Sequence, residues 1–269
     1  MRNPPAAAEA VADRSVLDAF RLDGRVAVVT GGASTLGTAI GTALAQAGAT
    51  VVGVGRSSMT ETQDRMAAVG AQARFHSVTA DLATIAPVQH IVDEALRLTG
   101  RADILVNNAG LIRRADPLEF TEKDWDDVMN VNLKAAFFLA QAFARHVVAR
   151  GGGGKIINIA SVLSFQGGIR IPSYTASKGG VAGLTRLLAC EWAGKGINVN
   201  AIAPGYCATN NTQAIRDDET RNAAILARIP AGRWGTPEDM GGAAIFLASR
   251  ASDYCDGTIL VVDGGWLAR

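Results

Sequence analysis

Cysteine is scarce in this sequence, with three among 269 residues. Cys190, Cys207 and Cys255 are odd in number and far apart, which predicts the reduced thiols of a cytoplasmic protein rather than a disulfide framework. Histidine is equally rare. His76, His90 and His146 show no metal-ligand spacing, so no metal is expected. Charge is balanced, with 26 Lys and Arg against 25 Asp and Glu. Basic residues gather no further than pairs such as Arg113-Arg114, so neither nucleic acid nor an anionic membrane is expected as a partner. Long apolar runs are missing as well. The stretch AFFLAQAFA from Ala136 falls well short of the roughly 18 residues that a membrane span needs. Residues 1–20 are Ala-rich and carry Glu9, Asp13 and Asp18. They lack the unbroken apolar stretch of a secretory signal and read as an extension before a domain spanning residues 21–269.

Hydrophobic residues, by contrast, make up 48% of the chain, ample for a large core. Short β-branched runs alternate with helical stretches. The strand candidates are Val26–Thr30, Thr50–Val54, Arg74–Val78, Ile104–Asn107, Lys155–Ile159, Asn198–Ala203 and Thr258–Val262. Most are continuously apolar, as strands buried on both faces of a parallel sheet are. Helical patterns fall at Thr35–Ala47, Pro87–Leu98, Glu122–Arg150, Ser173–Ala193 and Pro237–Ser249. The alternation predicts a doubly wound α/β fold of the Rossmann type: a mostly parallel seven-stranded sheet with helices on both faces, in one domain. No internal repeat or linker interrupts it.

Chemistry concentrates at the carboxyl ends of these strands, where open α/β sheets bind ligands. The first strand runs into TGGASTLG, Thr30 to Gly37, and then a helix. A glycine-rich turn at a helix N-terminus presents amides and the helix dipole to a pyrophosphate. That makes Gly31, Ser34, Thr35, Leu36 and Gly37 candidate cofactor contacts. Further on, Tyr174 and Lys178 stand four apart in YTASK, on one face of a predicted helix. Ser161 ends the strand KIINIAS, thirteen residues before Tyr174.

In its T-G-x-x-x-G-x-G turn and its Ser…Tyr-x-x-x-Lys arrangement the chain resembles the short-chain dehydrogenase/reductases. One position departs: Thr35 stands where that family has its middle glycine, which normally lets the backbone approach the phosphates. The resemblance implies a nicotinamide dinucleotide, NAD or NADP, and hydride transfer at a hydroxyl or carbonyl carbon. It implies Tyr174, Lys178, Ser161 and Asn132 as the catalytic set, with Lys178 also on the nicotinamide ribose and Asn132 anchoring a water relay. It further implies cofactor contacts at Asp81-Leu82, in the turn Asn107-Asn108-Ala109-Gly110, at Pro204-Gly205 and at Thr209. A free phenol titrates near 10, too high for a base at neutral pH. The ammonium of Lys178 and the oxidised cofactor ring are therefore expected to favour the Tyr174 phenolate.

The segments NNAGLIRRADPLEF, SFQGGIRIPSYTASK, NAIAPGYCATNNTQ and VDGGWLAR resemble the sugar-acid dehydrogenases of that family. This implies a deoxy-sugar acid of the 2-deoxy-D-gluconate or 2-dehydro-3-deoxy-D-gluconate type as substrate, and a homotetramer whose interface tail is VDGGWLAR. Arg113, Arg114 and Arg170 are candidate carboxylate partners, since guanidinium forks suit that geometry. Gln166, Asn210 and Asn211 are candidates for sugar hydroxyls. Gluconate 5-dehydrogenase or 3-oxoacyl reductase activity, and a dinucleotide-binding module without turnover, remain alternatives. The second strand ends at Gly55-Arg56, where an NAD enzyme often carries an acidic residue. Arg56 can meet a 2′-phosphate instead, which favours NADP(H).

Overall fold

The computed structural model describes residues 15–269. Seven strands form one sheet: β1 (Val26–Thr30), β2 (Thr50–Gly55), β3 (Phe75–Thr79), β4 (Ile104–Asn107), β5 (Gly154–Ile159), β6 (Ile197–Pro204) and β7 (Ile259–Val262). Their order is β3-β2-β1-β4-β5-β6-β7, and every pairing is parallel. The strand order reverses between β1 and β4, and that switch point opens a crevice at the carboxyl ends of the two strands. Strand residues alternate between faces. Val28, Val52, Leu105 and Ile156 pack on one side with Ile91, Leu139 and Phe143. Ala27, Val29, Ile104 and Ile157 pack on the other with Ile40, Leu44 and Leu247.

The helices supply those covers. They are α1 (Thr35–Gln46), α2 (Thr60–Ala68), α3 (Val88–Thr99), α4 (Glu122–Met129), α5 (Ala136–Ala149), α6 (Pro172–Trp192), α7 (Gln213–Arg216), α8 (Glu219–Arg228) and α9 (Gly241–Ala248). Four differences from the sequence reading have physical causes. The expected helix Glu122–Arg150 is two helices joined by a wide π-helical turn, Asn130–Ala135, a distortion typical of functional positions. Helix α2 escapes notice because it buries only Thr62 and Met66 and shows no apolar stripe. The expected helix from Pro237 begins as a 3-10 turn, Pro237–Met240, and becomes α-helical at Gly241. Helices α7 and α8 belong to a lobe with its own small core of Val162, Ile215, Ile225, Ile229 and Trp266. Of the expected extension, residues 1–14 lie outside the described residues. Val16–Phe20 form a 3-10 helix whose Phe20 ring lies 6.3 Å from that of Phe246.

At the opposite, amino end of the sheet, Asp103 is the electrostatic pin. Its side chain is 1% exposed, with Arg101 Nε at 2.7 Å and Arg150 Nη1 at 2.9 Å. Its Oδ2 also accepts the Val26 amide at 2.9 Å, tying the start of β1 to the start of β4. Burial alone would raise this carboxyl. The Arg101 hydrogen bond, the Val26 amide and the charge of Arg150 together outweigh it and hold the group below the usual carboxylate range. A carboxyl lowered in the folded state stabilises the fold above its unfolded value, about pH 4, and loses that contribution as the pH falls through the lowered one. Asp103→Asn should therefore cost about 2–3 kcal/mol at neutral pH, measured by denaturant unfolding. The gap from wild type should close in acid, and a gap independent of pH would show that the charge is not what matters.

Candidate active site

The crevice is a cavity of about 410 Å³, walled by the turns after β1, β4 and β6 and by α6. Its dinucleotide half grows out of the end of β1. Gly31 turns the chain at φ 66°, and a Cβ there would lie 2.8 Å from Asn108 Nδ2, so glycine is required by both conformation and space. A Cβ on Gly37 would collide with the Gly31 carbonyl, which explains why α1 crosses the turn so closely. Ser34 caps α1, its Oγ accepting the Gly37 amide at 3.1 Å. The first-turn amides of Thr35 and Leu36 have no intrahelical partner, and both residues line the cavity. At Thr35 the departure from the family turn is harmless to the backbone. It is the first residue of α1, and the only positive-φ non-glycine among the described residues is Arg170.

Asn108 holds this turn to β4. Its Nδ2 donates to the Thr30 carbonyl at 2.8 Å and to Ser34 Oγ at 3.2 Å. The Asn108 and Ala109 amides both donate to Thr30 Oγ1, at 3.0 and 2.9 Å. Arg56, after β2, and Asp81, after β3, stand 3.8 Å apart at the outer end, both well exposed. Glycine-lined walls, a capped helix N-terminus and an outlying guanidinium fit a dinucleotide phosphate chain.

The other half, with the candidate catalytic residues, lies on β5 and α6. Tyr174 and Lys178 occupy the first two turns of α6, with Lys178 Nζ 5.5 Å from the Tyr174 ring centroid. Nζ donates to the Ile159 carbonyl at 2.6 Å, which ties α6 to the end of β5. Ser161 follows β5, and its Oγ accepts the Leu163 amide at 3.2 Å. Burial pushes the Tyr174 phenol up, and the Ser161 hydroxyl and the charge of Arg114 pull against it. Burial pushes Lys178 down to about 8. The sequence reading gave the task of favouring the phenolate to Lys178 and the oxidised cofactor ring; the Ser161 hydroxyl and, less strongly, Arg114 act in the same direction.

Asn132 is buried in the wide turn behind the site, outside the cavity lining. Its Oδ1 accepts the Leu111 amide at 2.9 Å, and its Nδ2 donates to Leu111 O and Ser177 Oγ. Gly37 likewise supports from behind. Gly31, Ser34, Thr35, Leu36, Arg56, Asp81, Leu82, Asn108, Ala109, Gly110, Ser161, Tyr174, Lys178, Pro204, Gly205, Thr209, Asn210 and Asn211 all line the cavity, as do Ala80, Leu111, Val131, Ile159, Ala160, Cys207 and Thr212, which sequence reasoning missed. Those seven were singled out by no motif. Four substrate candidates lie outside the lining. Arg113 pairs with Asp124 and Asp127 on α4, at 3.4 and 3.0 Å. Gln166 accepts from Arg228 at 3.2 Å, and Arg170 is exposed on the loop before α6. Arg114 reaches the rim, where its Nη2 donates to the Asn211 carbonyl at 2.8 Å. Of the three arginines, Arg113 alone is paired with carboxylates.

A parallel sheet whose switch point carries a dinucleotide cradle beside a Ser-Tyr-Lys wall defines a class of oxidoreductase, and the chain belongs to it: the short-chain dehydrogenase/reductases. The family model described as enoyl-(acyl carrier protein) reductase matches residues 31–267. Among named relatives, the chain is 61% identical to the 2-dehydro-3-deoxy-D-gluconate 5-dehydrogenase of Escherichia coli, over 94% of this chain and 100% of that one. A solved structure from Agrobacterium tumefaciens with bound NADP is 59% identical, with a TM-score of 0.88 over 93% of this chain and 99% of the other. The gluconate 5-dehydrogenase of Burkholderia cenocepacia, solved with NADP and tartrate, is 42% identical, with a TM-score of 0.86 over 95% of this chain and 100% of the other.

Because the backbone at Thr35 already has helical geometry, Thr35→Gly should leave dinucleotide affinity within a few-fold and lower stability by about 0.5 kcal/mol. Fluorescence titration and thermal unfolding measure the two. A tenfold gain in affinity would show instead that the threonine side chain crowds the phosphates.

Proposed function

We propose that this chain interconverts a secondary alcohol and a ketone on a deoxy-sugar acid of the 2-dehydro-3-deoxy-D-gluconate type, with NADP(H) as preferred cofactor. The observation that carries the reading is the convergence of Ser161, Tyr174 and Lys178 on one wall of the dinucleotide cavity, in a chain 61% identical to a dehydrogenase of that substrate. The bound nicotinamide supplies the acceptor or donor of the hydride. The protein's residues handle the proton and the orientation. Tyr174 takes the hydroxyl proton during oxidation and returns it during reduction. Ser161 donates to the substrate oxygen, and Lys178, anchored on Ile159, orients the ribose and adds positive charge. Asn132 braces the loop at Leu111 against Ser177, between the two catalytic residues of α6. Asn210, Asn211 and the Arg114 guanidinium present polar groups to the hydroxyls and carboxylate of the substrate.

Residues 21–269 act as one catalytic domain in this reading, in a cytoplasmic homotetramer. Its free thiols and the exposed apolar side chains Trp125, Val148 and Leu187 on α4, α5 and α6 support those assignments. Initial rates over a panel of keto-deoxy sugar acids, gluconate and 3-oxoacyl esters test the substrate class, with Tyr174→Phe as control. The keto-deoxy acids should be turned over fastest. The Phe variant should lose at least a hundredfold in turnover while binding cofactor within a few-fold. Retention of a tenth of the wild-type rate would refute Tyr174 as the proton carrier. Cofactor binding without any change in nicotinamide absorbance on the whole panel would leave a binding module.

The NADP(H) preference rests on Arg56, the cavity-lining cation beyond a strand that ends in glycine rather than a carboxylate. Arg56→Ala should lower kcat/KM for NADP about tenfold or more, since a charge-assisted bond contributes about 1.5–3 kcal/mol, with NAD little affected. A wild type that prefers NAD, and a variant that keeps the same ratio, would overturn the preference.

A further inference from the structure

Helix α2 buries only two side chains, Thr62 and Met66, one turn apart on the face toward α1. Met66 packs among apolar neighbours such as Ile40 and Leu44. Thr62 instead carries a hydroxyl into the interior, at 2% exposure. Its Oγ1 lies 2.9 Å from the Gly32 carbonyl and 2.8 Å from Thr38 Oγ1, which is itself 3.1 Å from the same carbonyl. Two hydroxyls have two protons for these three contacts, so one donates to Gly32 O and the other to its fellow hydroxyl. Thr38 alone suffices to pair that carbonyl. The need of Gly32 O for a donor therefore does not account for Thr62.

The course of the chain does account for it. Gly32 stands in the glycine-rich turn, between the cavity-lining residues Gly31 and Ser34. Its amide donates to Val54 O near the end of β2, at 3.0 Å. From Val54 the chain passes through Gly55 and the cavity-lining Arg56, then through Met59, which is buried, and into α2. At Thr62 it returns to the carbonyl of the same Gly32. The segment that carries Arg56 is thus a loop pinned at both ends to one peptide of the phosphate cradle.

We propose that Thr62 is a positioning residue of the dinucleotide site. Its hydroxyl closes the Arg56 loop onto Gly32 and so fixes the spacing between the guanidinium and the phosphate cradle. The proposal rests on the dinucleotide reading and on Arg56 as the partner of a 2′-phosphate. The branched Cβ of threonine restricts its rotamer, which holds the hydroxyl in place before any ligand arrives. A cofactor that spans both sites gains from a spacing set in advance, whereas a ligand that occupies one site does not.

Three substitutions separate the hydroxyl from the shape of the side chain. Thr62→Val removes the hydroxyl at nearly constant volume, Thr62→Ala removes it with a smaller side chain, and Thr62→Ser keeps it. Thr38 remains within reach of Gly32 O, so none of the three orphans a buried carbonyl. Calorimetric titration compares NADP, which spans both sites, with adenosine 2′-monophosphate, which reaches Arg56 without the glycine-rich turn. In the Val and Ala variants NADP should bind about five- to tenfold more weakly. The 2′-monophosphate should bind as it does to wild type, and the Ser variant should match wild type with both ligands. In turnover KM for NADP should rise by the same factor while kcat at saturation stays within about twofold. Unchanged NADP affinity in the hydroxyl-free variants would overturn the proposal. So would a Ser variant as weak as Val, or equal losses for the two ligands. A wild type that binds adenosine as tightly as its 2′-monophosphate would overturn the Arg56 reading itself, and the spacing role with it.

Discussion

The structure depends on how the ends of β1 and β4 are held at the switch point. Their backbone ladder runs from Ala27–Ile104 to Val29–Val106, and beyond it the chains diverge toward helices on opposite faces. The Thr30 hydroxyl continues the link past the ladder by accepting both the Asn108 and Ala109 amides. Asn108 returns the bond to the Thr30 carbonyl and to the Ser34 cap. Thr30 and Asn108 are buried, and leaving either side chain unpaired carries a desolvation cost of about 1–3 kcal/mol. The cofactor cradle is therefore rigid because its own backbone donors and acceptors have nowhere else to go.

The same economy extends across the sheet to the reacting wall. Asn107 donates to Asn158 on β5 at 3.0 Å, and Asn158 donates to Thr185 on α6 at 3.0 Å. Lys178 returns to the carboxyl end of β5 through Ile159 O, and Ser177 receives the Asn132 amide. Helix α6 is thus held by polar bonds at its N-terminal end, beside the cavity, and by apolar packing of Leu188 and Ala189 further along. Orientation of Tyr174 against Ser161 follows from this fixed helix. Asp103 ties the same strands at their amino ends, so stability and chemistry occupy opposite edges of one sheet.

The parts legible in sequence were those where a local rule and the global fold agree. Most of the strand candidates were continuous apolar runs, the mark of strands buried on both faces, and all seven appeared within two residues of their expected bounds at either end, although β3 and β7 are only partly buried. The glycine turn and Tyr174–Lys178 were legible because their chemistry requires a spacing. The wide turn at Asn130–Ala135 was not, since its residues continue the helical pattern on both sides and Asn132, within it, bonds to Leu111, a residue 21 positions earlier that no local pattern points to. The fates of the arginines were equally hidden. Arg113 and Arg114 are neighbours in sequence, yet one is taken by Asp124 and Asp127 on α4 and the other crosses the cavity mouth. Nothing local distinguishes them, because the partners lie in segments whose approach only the tertiary fold decides.

The lobe formed by α7 and α8 is built on different terms from the sheet. It rests on a separate small core in which Trp266 lies 4.5 Å from Tyr206 and beneath the Arg228 guanidinium, 3.9 Å away. Arg228 also reaches Gln166 on the loop beyond Ser161, and Arg269 bonds the Ala227 carbonyl at 2.7 Å. The C-terminal segment thus fastens the lobe to the catalytic loop without passing through the two clusters that hold the sheet. Arg114, on the loop after β4, reaches the segment before α7 through Asn211 O at 2.8 Å, so the lobe is fastened to the carboxyl edge of the sheet as well as to the loop beyond Ser161.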